Sequence, residues 1–471
     1  MMFTHLLLSL ACAQQAAPAP ASTPDSTQPN FLIILVDDLG YGDLGEDLAG
    51  IGGREKHRTP HISRLAADGL VLTQGYSAAP NCAPSRASLQ TGRMTPRHGI
   101  YTVGTAARGK PHQRELIPVQ NTTVLADEEV TLAEHLGVAG YSTAHLGKWH
   151  LGPDPTTQGY DVNVAGNKAG HPKSYFSPYK NADLADGPEG EYLTTRLTDE
   201  AIGLVGELEP PFLMHLAYYS VHTPLQAPPE RVEERRAAGA KSAKYAAMVE
   251  ALDHEVGRLL AALDEAELTE DTVVVFTSDN GGHMPVTNQE ILRGYKGTLD
   301  EGGVRVPWIV RWPGRVKPGV SDVLVHHVDL LPTLLSLAGA APKTPAALDG
   351  VDLSALLTTG AAPPERPLFW HFPCYLQGKS DRFEHFRTTP GGVLRDGRWK
   401  LVEFFHPGSS ASPRVELYDL GSDPLERTDL SGSDPERAAA MYADLVRWRR
   451  AVDAPVPTEP EPSFAGSRDD S

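Results

Sequence analysis

The most chemically loaded stretch of this sequence is Asn81-Cys82-Ala83-Pro84-Ser85-Arg86-Ala87-Ser88-Leu89-Gln90-Thr91-Gly92-Arg93. Pro84 suits the first turn of a helix, where its missing N–H is not needed. Cys82 would then stand at a helix N-terminus, a place where unpaired backbone N–H groups and the helix dipole favour an anion. Arg86, one turn on, can grip two oxygens of such an anion. A free cysteine is ordinarily a small buried hydrophobe, but this setting makes Cys82 a candidate for chemistry. Two pairs of oxygen-bearing side chains accompany it. Asp37-Asp38 follows the apolar run Phe31 to Val36, and Asp279-Asn280 follows Thr272 to Phe276 and precedes Gly281-Gly282. Either pair could be a simple turn. Converging from two strand ends, they would form an oxygen-rich set suited to a hard divalent cation such as calcium.

The elements that must carry these residues are short apolar runs alternating with amphipathic stretches. Phe31 to Val36, Phe212 to Tyr219, Thr272 to Phe276 and Trp308 to Arg311 are continuously apolar, the pattern of strands buried on both faces in a mostly parallel sheet. Thr59-Pro60 opens a predicted helix that Gly69 closes, and Tyr245, Met248, Leu252, Val256, Leu259 and Leu263 trace one face of another. The fold class is therefore α/β, a large mostly parallel sheet flanked by helices, with acidic pairs at the strand ends where such sheets bind ligands. Beyond Thr358-Thr359-Gly360-Ala361-Ala362-Pro363-Pro364 the pattern changes. Val393 to Phe405 reads as a hairpin about Asp396-Gly397, Val415 to Leu420 as a strand and Pro435 to Val452 as a helix. The expected organisation is a leader (1–13), a Pro/Ala-rich linker (14–29), an α/β domain (30–360), a small α+β domain with antiparallel sheet and helix (361–453) and a loose tail (454–471).

The 471 residues carry 60 acidic and 42 basic side chains, a net charge of −18 that argues against general attraction to nucleic acid. Three cysteines, Cys12, Cys82 and Cys374, are too few for a disulfide framework or a cysteine-held zinc. Cys374 reads as structural. Leu6 to Ala13 is a short apolar stretch followed by a polar Pro/Ala-rich segment, the pattern of an export signal and far short of the ~20 residues of a membrane span. Cleavage after Ala13 and lipid modification of Cys12 both remain open, although Ser9 stands where a lipobox has Leu. Export to the periplasm, the outer surface or the medium is expected.

The sequence resembles the type I sulfatases of the alkaline phosphatase superfamily, whose signature is C-x-P-S-R followed by T-G-R, here Cys82 to Arg86 and Thr91 to Arg93. Asp37-Asp38, Thr59-Pro60, Gly147-Lys148-Trp149-His150-Leu151-Gly152, His222-Thr223-Pro224, Asp279-Asn280-Gly281, Tyr295-Lys296-Gly297 and Glu301-Gly302-Gly303 follow the family's order over most of the chain. The resemblance implies that a maturation enzyme converts Cys82 to formylglycine, whose hydrated aldehyde is the nucleophile. It implies that Asp37, Asp38, Asp279 and Asn280, together with the modified Cys82, bind one calcium ion. Arg86 would hold the modified side chain, Lys148 and Lys296 would contact sulfate oxygens, His150 would act in breakdown of the sulfated intermediate, and His222 would protonate the leaving oxygen. Asp37, Asp38 and Asp279 balance Arg86, Lys148 and Lys296 in charge, so a divalent cation would leave a net positive site for a sulfate monoanion.

The implied activity is hydrolysis of a sulfate ester, on a sulfated sugar or glycan, by an alkaline phosphatase-like fold. The competing readings are a phosphonate or phosphate ester hydrolase of the same superfamily, and an inactive sulfoglycan-binding surface protein. Trp149 reads as packing. His283, His326 and His327 could line a pocket, with ordinary polar surface the simpler expectation. Specificity would come from the loops Asp154 to Gly190 and Phe372 to Thr389. The oligomeric state is open.

Overall fold

The computed structural model describes residues 28–465 except 46–47, 49–56, 289, 345–346 and 409–411. The leader at 1–13 with Cys12, the linker as far as residue 27, and residues 466–471 lie outside the described residues.

Eight strands form the main sheet: β1 (Asn30–Val36), β2 (Leu70–Tyr76), β3 (Ser142–Gly147), β4 (Val162–Val164), β5 (Phe212–Ala217), β6 (Thr272–Ser278), β7 (Trp308–Arg311) and β8 (Gly319–His326). Their order is β4-β3-β5-β1-β6-β7-β2-β8. β1 pairs in parallel with both β5 and β6, and β3 pairs in parallel with both β5 and β4, so five neighbouring strand ends open at one edge. β7 departs from the expected parallel course and runs antiparallel to β6 and β2. The reason is its route: the chain leaves β6 at the carboxyl edge, stays there through Asp279 to Pro307, and so re-enters the sheet from that edge.

The continuous apolarity of β1 is explained by its two faces. Leu32, Ile34 and Val36 enter one core with the helix Ala243–Glu265, while Phe31, Ile33 and Leu35 enter a second core with the helices Cys82–Thr91 and Leu330–Leu337. All six expected stripe residues of Ala243–Glu265 are buried. The helix expected to open at Thr59-Pro60 runs Pro60–Ala67, but Thr59 does not cap it through its side chain. Its hydroxyl accepts instead from the Gly45 N–H at 2.9 Å, and the carboxylate of Asp253 takes the Ile62 and His61 N–H groups at the helix start.

The C-terminal part adds β9 (Leu368–Phe372), β10 (Leu376–Gln377), β11 (Phe386–Thr388), β12 (Gly391–Asp396), β13 (Trp399–Phe404) and β14 (Arg414–Asp419). The antiparallel order β14-β13-β12-β9 carries the helix Pro435–Ala451 on one face, through Leu394, Leu401 and Leu417 against Met441 and Leu445. Its other face packs Trp370 and Phe372 against Tyr76, Leu299 and Val304 of the large unit. Lys400 of β13 is buried between Glu301 at 3.1 Å and Glu426 at 2.9 Å, which ties this sheet to the segment just beyond Lys296. The tail expected to be loose from Ala454 is held as far as residue 465: Ile117 donates to Glu459 and Glu461 to Glu115, and Arg114 pairs with Glu461 at 3.0 Å. The Glu461 carboxylate thus meets an arginine while the tail's backbone pairs with residues 115 and 117.

Candidate active site

The sheet register decides which residues meet. Val36 lies opposite Ser278, so Asp37-Asp38 and Asp279-Asn280 emerge side by side. The turn is stitched by Ser278, whose hydroxyl accepts from Leu39 N–H and lies 3.0 Å from the Asn280 carbonyl, and by Asp279, which accepts from Asp38 N–H at 3.2 Å. Two strands away, Gly147 ends β3 with φ +90, and a Cβ there would lie 2.0 Å from the Ala217 carbonyl oxygen. Only glycine allows that approach, and it delivers Lys148 to the same edge. Arg86 Nη1 then donates to the Lys148 carbonyl at 2.6 Å.

The predicted helix start is where expected: the helix spans Cys82–Thr91, with Asn81 before it and left-handed Gly92 closing it. Cys82 is 2% exposed. Its Sγ lies 3.6 Å from Asp37 Oδ1, 4.0 Å from Asp38 Oδ1 and 3.1 Å from Lys296 Nζ. Arg86 donates from Nε to Asp279 Oδ2 at 2.8 Å, and its Nη2 lies 2.8 Å from the same oxygen and 4.0 Å from Asp37. Lys148 Nζ binds Asp37 Oδ2 at 2.7 Å, and Lys296 Nζ binds Asp38 Oδ1 at 2.7 Å. His222 Nε2 stands 3.6 Å from Asp38, and its Nδ1 is 2.7 Å from the Thr223 carbonyl, which makes Nδ1 the protonated nitrogen of the neutral ring. His150 receives its position from the loop, its N–H donating to the Asn167 carbonyl at 2.9 Å. All ten residues singled out from sequence are thus brought to one edge of the sheet.

Three buried carboxylates and three buried cations face each other here, and their protonation reflects it. Burial, opposed by Lys148, pushes Asp37 up to about 7. Burial works the same way on Asp38, but Lys296, His222 and Lys148 together hold it well below the ordinary range. Burial outweighs both lysines at Cys82 and pushes the thiol up to about 12, so the encoded side chain is a poor thiolate nucleophile. Burial, with Lys148 and Arg86, keeps His150 neutral, and burial lowers His222 to about 3.

Ligand atoms of Asp37, Asp38, Cys82 and His222 lie within 4.8 Å of one another. Asn280 donates from Nδ2 to Asp38 Oδ1 at 2.8 Å, while its buried Oδ1 has no hydrogen-bond partner. A buried acceptor left free beside two carboxylates is what a hard cation with oxygen ligands requires, so the donor set fits a divalent metal. Asp279 enters this set least directly, because Arg86 already occupies one of its oxygens.

A cavity of about 250 Å³ opens onto Cys82, Lys296, His150 and His222. Both loops expected to shape specificity reach it, the first through Gly170 and His171, the second through Leu376, Gln377 and Arg387. His171 stacks on His222 at 6.1 Å. Arg108 was not visible from sequence, and His171 and Arg387 were covered there only as members of these two loops, since none of the three sits at a strand end or in a motif. His283 lines the cavity. His326 and His327 are not surface residues as expected: both are fully buried, His327 beside Ser85 at 3.0 Å and His326 against Trp370. The β8 end carries them inward, under the Cys82 helix. Trp149 and Cys374 are buried, as packing roles require.

The family model described as Sulfatase matches residues 29–340, and that of the N-sulphoglucosamine sulphohydrolase C-terminal region matches 295–447. The chain is 35% identical to the N-acetylgalactosamine-6-sulfatase of Canis lupus familiaris over 94% of its own length and 87% of that protein's. It is 33% identical to the arylsulfatase A of Homo sapiens, covering 91% and 89%. Among solved structures, Ps i-CgsB in complex with k-i-k-neocarrahexaose superposes with a TM-score of 0.72 at 28% identity, over 89% of this chain and 92% of that one. With the alkaline phosphatase-like sheet, the signature helix and the charged edge in place, these matches show that the chain belongs to the sulfatase family.

Proposed function

We propose that this protein hydrolyses sulfate esters on sulfated sugars, using an aldehyde derived from Cys82 and a calcium ion held by Asp37, Asp38, Asp279, Asn280 and the modified Cys82 side chain. The observation that carries this reading is the meeting of Cys82, Lys296, His150 and His222 at one small cavity, with Arg86 and Lys148 buried behind it against Asp279 and Asp37. Calcium, when bound, would supply positive charge to polarise the nucleophile and a sulfate oxygen. The thiol itself is buried and firmly protonated, so a hydrated aldehyde at this position is the better nucleophile.

The chain's own groups then divide the work. Arg86, fixed between Asp279 and the Lys148 carbonyl, holds the helix N-terminus and its reactive side chain in register with the acidic pairs. Lys148 and Lys296 are buried cations held on Asp37 and Asp38, the two carboxylates beside Cys82, and would be preorganised for sulfate oxygens. His150, neutral through burial and neighbouring cations, suits a base. His222 presents Nε2 and would take up a proton as the substrate's negative charge enters beside it, which readies it to protonate the leaving oxygen. A sugar substrate is supported by the family relatives that act on N-acetylgalactosamine 6-sulfate by name, and by the carrageenan-oligosaccharide complex.

The proposal extends to export, on the leader-like segment ending at Ala13, with Cys12 the candidate for a lipid anchor and a maturation enzyme required for Cys82. Peptide mass spectrometry of protein from its native host, paired with sulfate release from an aryl sulfate, tests the whole. A loss of about 18 Da at Cys82 together with sulfate release is the expected result. An intact thiol and no release would remove the mechanism; faster turnover of a matched aryl phosphonate would transfer it to phosphorus esters.

A further inference from the structure

Two arginines on the cavity wall have no role in the chemistry above. Arg108 and Arg387 both line the cavity that opens onto Cys82. Among the described residues neither is in an ion pair with a carboxylate. Arg108 donates from Nη2 to the Val103 carbonyl, and Arg387 donates from Nη1 to the Lys296 carbonyl at 3.3 Å. Arg387 also lies over the Tyr295 ring at 5.8 Å, and its stem runs past Gly297, where a Cβ would come within 3.0 Å of Cδ. Its position is therefore built by the Lys296 segment, and the guanidinium is held rather than free to wander in solvent.

The pair is electrostatically uncomfortable as it stands. Burial and the charge of Arg387 both act against the charged form of Arg108. Like charges facing one cavity without a counterion are unusual in a chain of net charge −18, where carboxylates are plentiful. A guanidinium offers a planar fork matched to a carboxylate or sulfate. The scissile sulfate is already provided for by Lys148, Lys296 and Arg86, so the two forks are surplus to it. A neighbouring cavity of about 670 Å³ shares His171 with this one and carries Lys168, Lys173 and Lys180 against the single carboxylate of Asp183 on its walls, so its net charge is positive.

Resting on the sulfatase reading, we propose that Arg108 and Arg387 bind a second anionic group of the substrate, a sulfate or carboxylate on the same sugar or the next, so that the preferred substrate is a multiply charged saccharide. The 250 Å³ cavity takes the sulfated unit, and the lysine-walled cavity beside it takes the continuing chain.

The test compares three disaccharides with the same scissile sulfate: one with no other charge, one with a second sulfate and one with a carboxylate. The aldehyde-bearing protein is expected to favour a doubly charged substrate in kcat/KM by roughly ten- to hundredfold, the worth of a charged hydrogen bond, mainly through KM. The R108Q/R387Q double variant is expected to bring that ratio close to one. Preference for only one doubly charged arm identifies the group as sulfate or carboxylate. No preference in the parent protein, or a preference that survives in the double variant, overturns the proposal. Calorimetric binding of the same sugars to C82A protein needs no turnover: binding preference without sulfate release in the parent keeps the arginine site and overturns the sulfatase reading, and its absence overturns the arginine site alone.

Discussion

Replacing Lys400 with methionine tests how the C-terminal sheet supports the catalytic edge. Lys400 Nζ lies 3.1 Å from Glu301 and 2.9 Å from Glu426, with all three side chains buried. Without the lysine, Glu301 retains the Tyr76 hydroxyl at 2.7 Å and Arg305 at 3.8 Å, whereas Glu426 retains only the Glu301 N–H among the described contacts. Breaking a buried pair by removing one partner costs about 3–5 kcal/mol. With an unfolding entropy of about 2.1 cal/mol/K per residue, on the order of 1 kcal/mol/K for the chain, Tm should fall by about 3–5 °C. The loss should depend on pH. Burial, opposed by Lys400, already pushes Glu426 up to about 7 against an ordinary 4.5. A raised carboxyl pKa means that the contribution of Glu426 to stability is fullest below 4.5 and is lost as pH rises through 7. Removing Lys400 raises it further, so the gap between parent and variant should widen from pH 5.5 to pH 8. Differential scanning calorimetry at both pH values measures this. A shift under 1 °C at pH 8, or an equal gap at both, refutes the argument that Lys400 neutralises a buried acidic pair.

Four further outcomes are expected. Gly147→Ala should abolish turnover and lower soluble yield, since φ +90 and a 2.0 Å clash with the Ala217 carbonyl both oppose any side chain; near-parental kinetics would show that the Lys148 strand end can relax. Neither Cys82 nor Cys374 should react with iodoacetamide in folded, unmodified protein, because burial raises both thiols, whereas both should react in denaturant; peptide mapping reads this. Stability should fall as pH drops below 6.5: burial lowers His98, His215 and His371 to about 3, so the unfolded chain gains protons the folded one refuses, costing up to about 1.4 kcal/mol per pH unit for each histidine and outweighing the opposite trend of Glu426. A Tm that is flat from pH 6.5 to 4.5 sinks this. Calcium at about 100 times its Kd should stabilise the protein by about 2.7 kcal/mol, and chelation should reverse it; an unchanged melting curve argues against the proposed oxygen-ligand set.

What could be read from the sequence follows from burial. β1, β5 and β6 face two cores at once, so their runs are almost wholly apolar and the residues after them stand out. That made Asp37-Asp38 and Asp279-Asn280 legible as neighbours at strand ends. β3 escaped notice because Ser142, Thr143 and His145 leave it only Ala144 and Leu146 as apolar side chains, whereas β5 surrounds its one histidine, His215, with five apolar residues. β8, half exposed at the sheet edge, lacks a continuous apolar signal, and so the inward course of His326 and His327 was hidden. The two loops on the cavity wall were named from sequence, but which of their residues meet there was hidden for a different reason. Arg108, His171 and Arg387 come from segments far apart in the chain, and their meeting depends on how loops cross the sheet edge, which no local spacing encodes.

The 2% exposure of Cys82 also sets an order of events. A modifying enzyme must hold its target residue with several neighbours on either side, yet here the ten residues from Cys82 to Thr91 are all buried in a helix between the sheet and its second core. Once the chain has closed, that stretch is out of reach, and opening it would mean unfolding the centre of the molecule. Any conversion of Cys82 therefore belongs to the interval between synthesis and folding. A molecule that folds first is committed to its thiol, and protein of identical sequence and stability would divide permanently into competent and incompetent populations according to which process won the race.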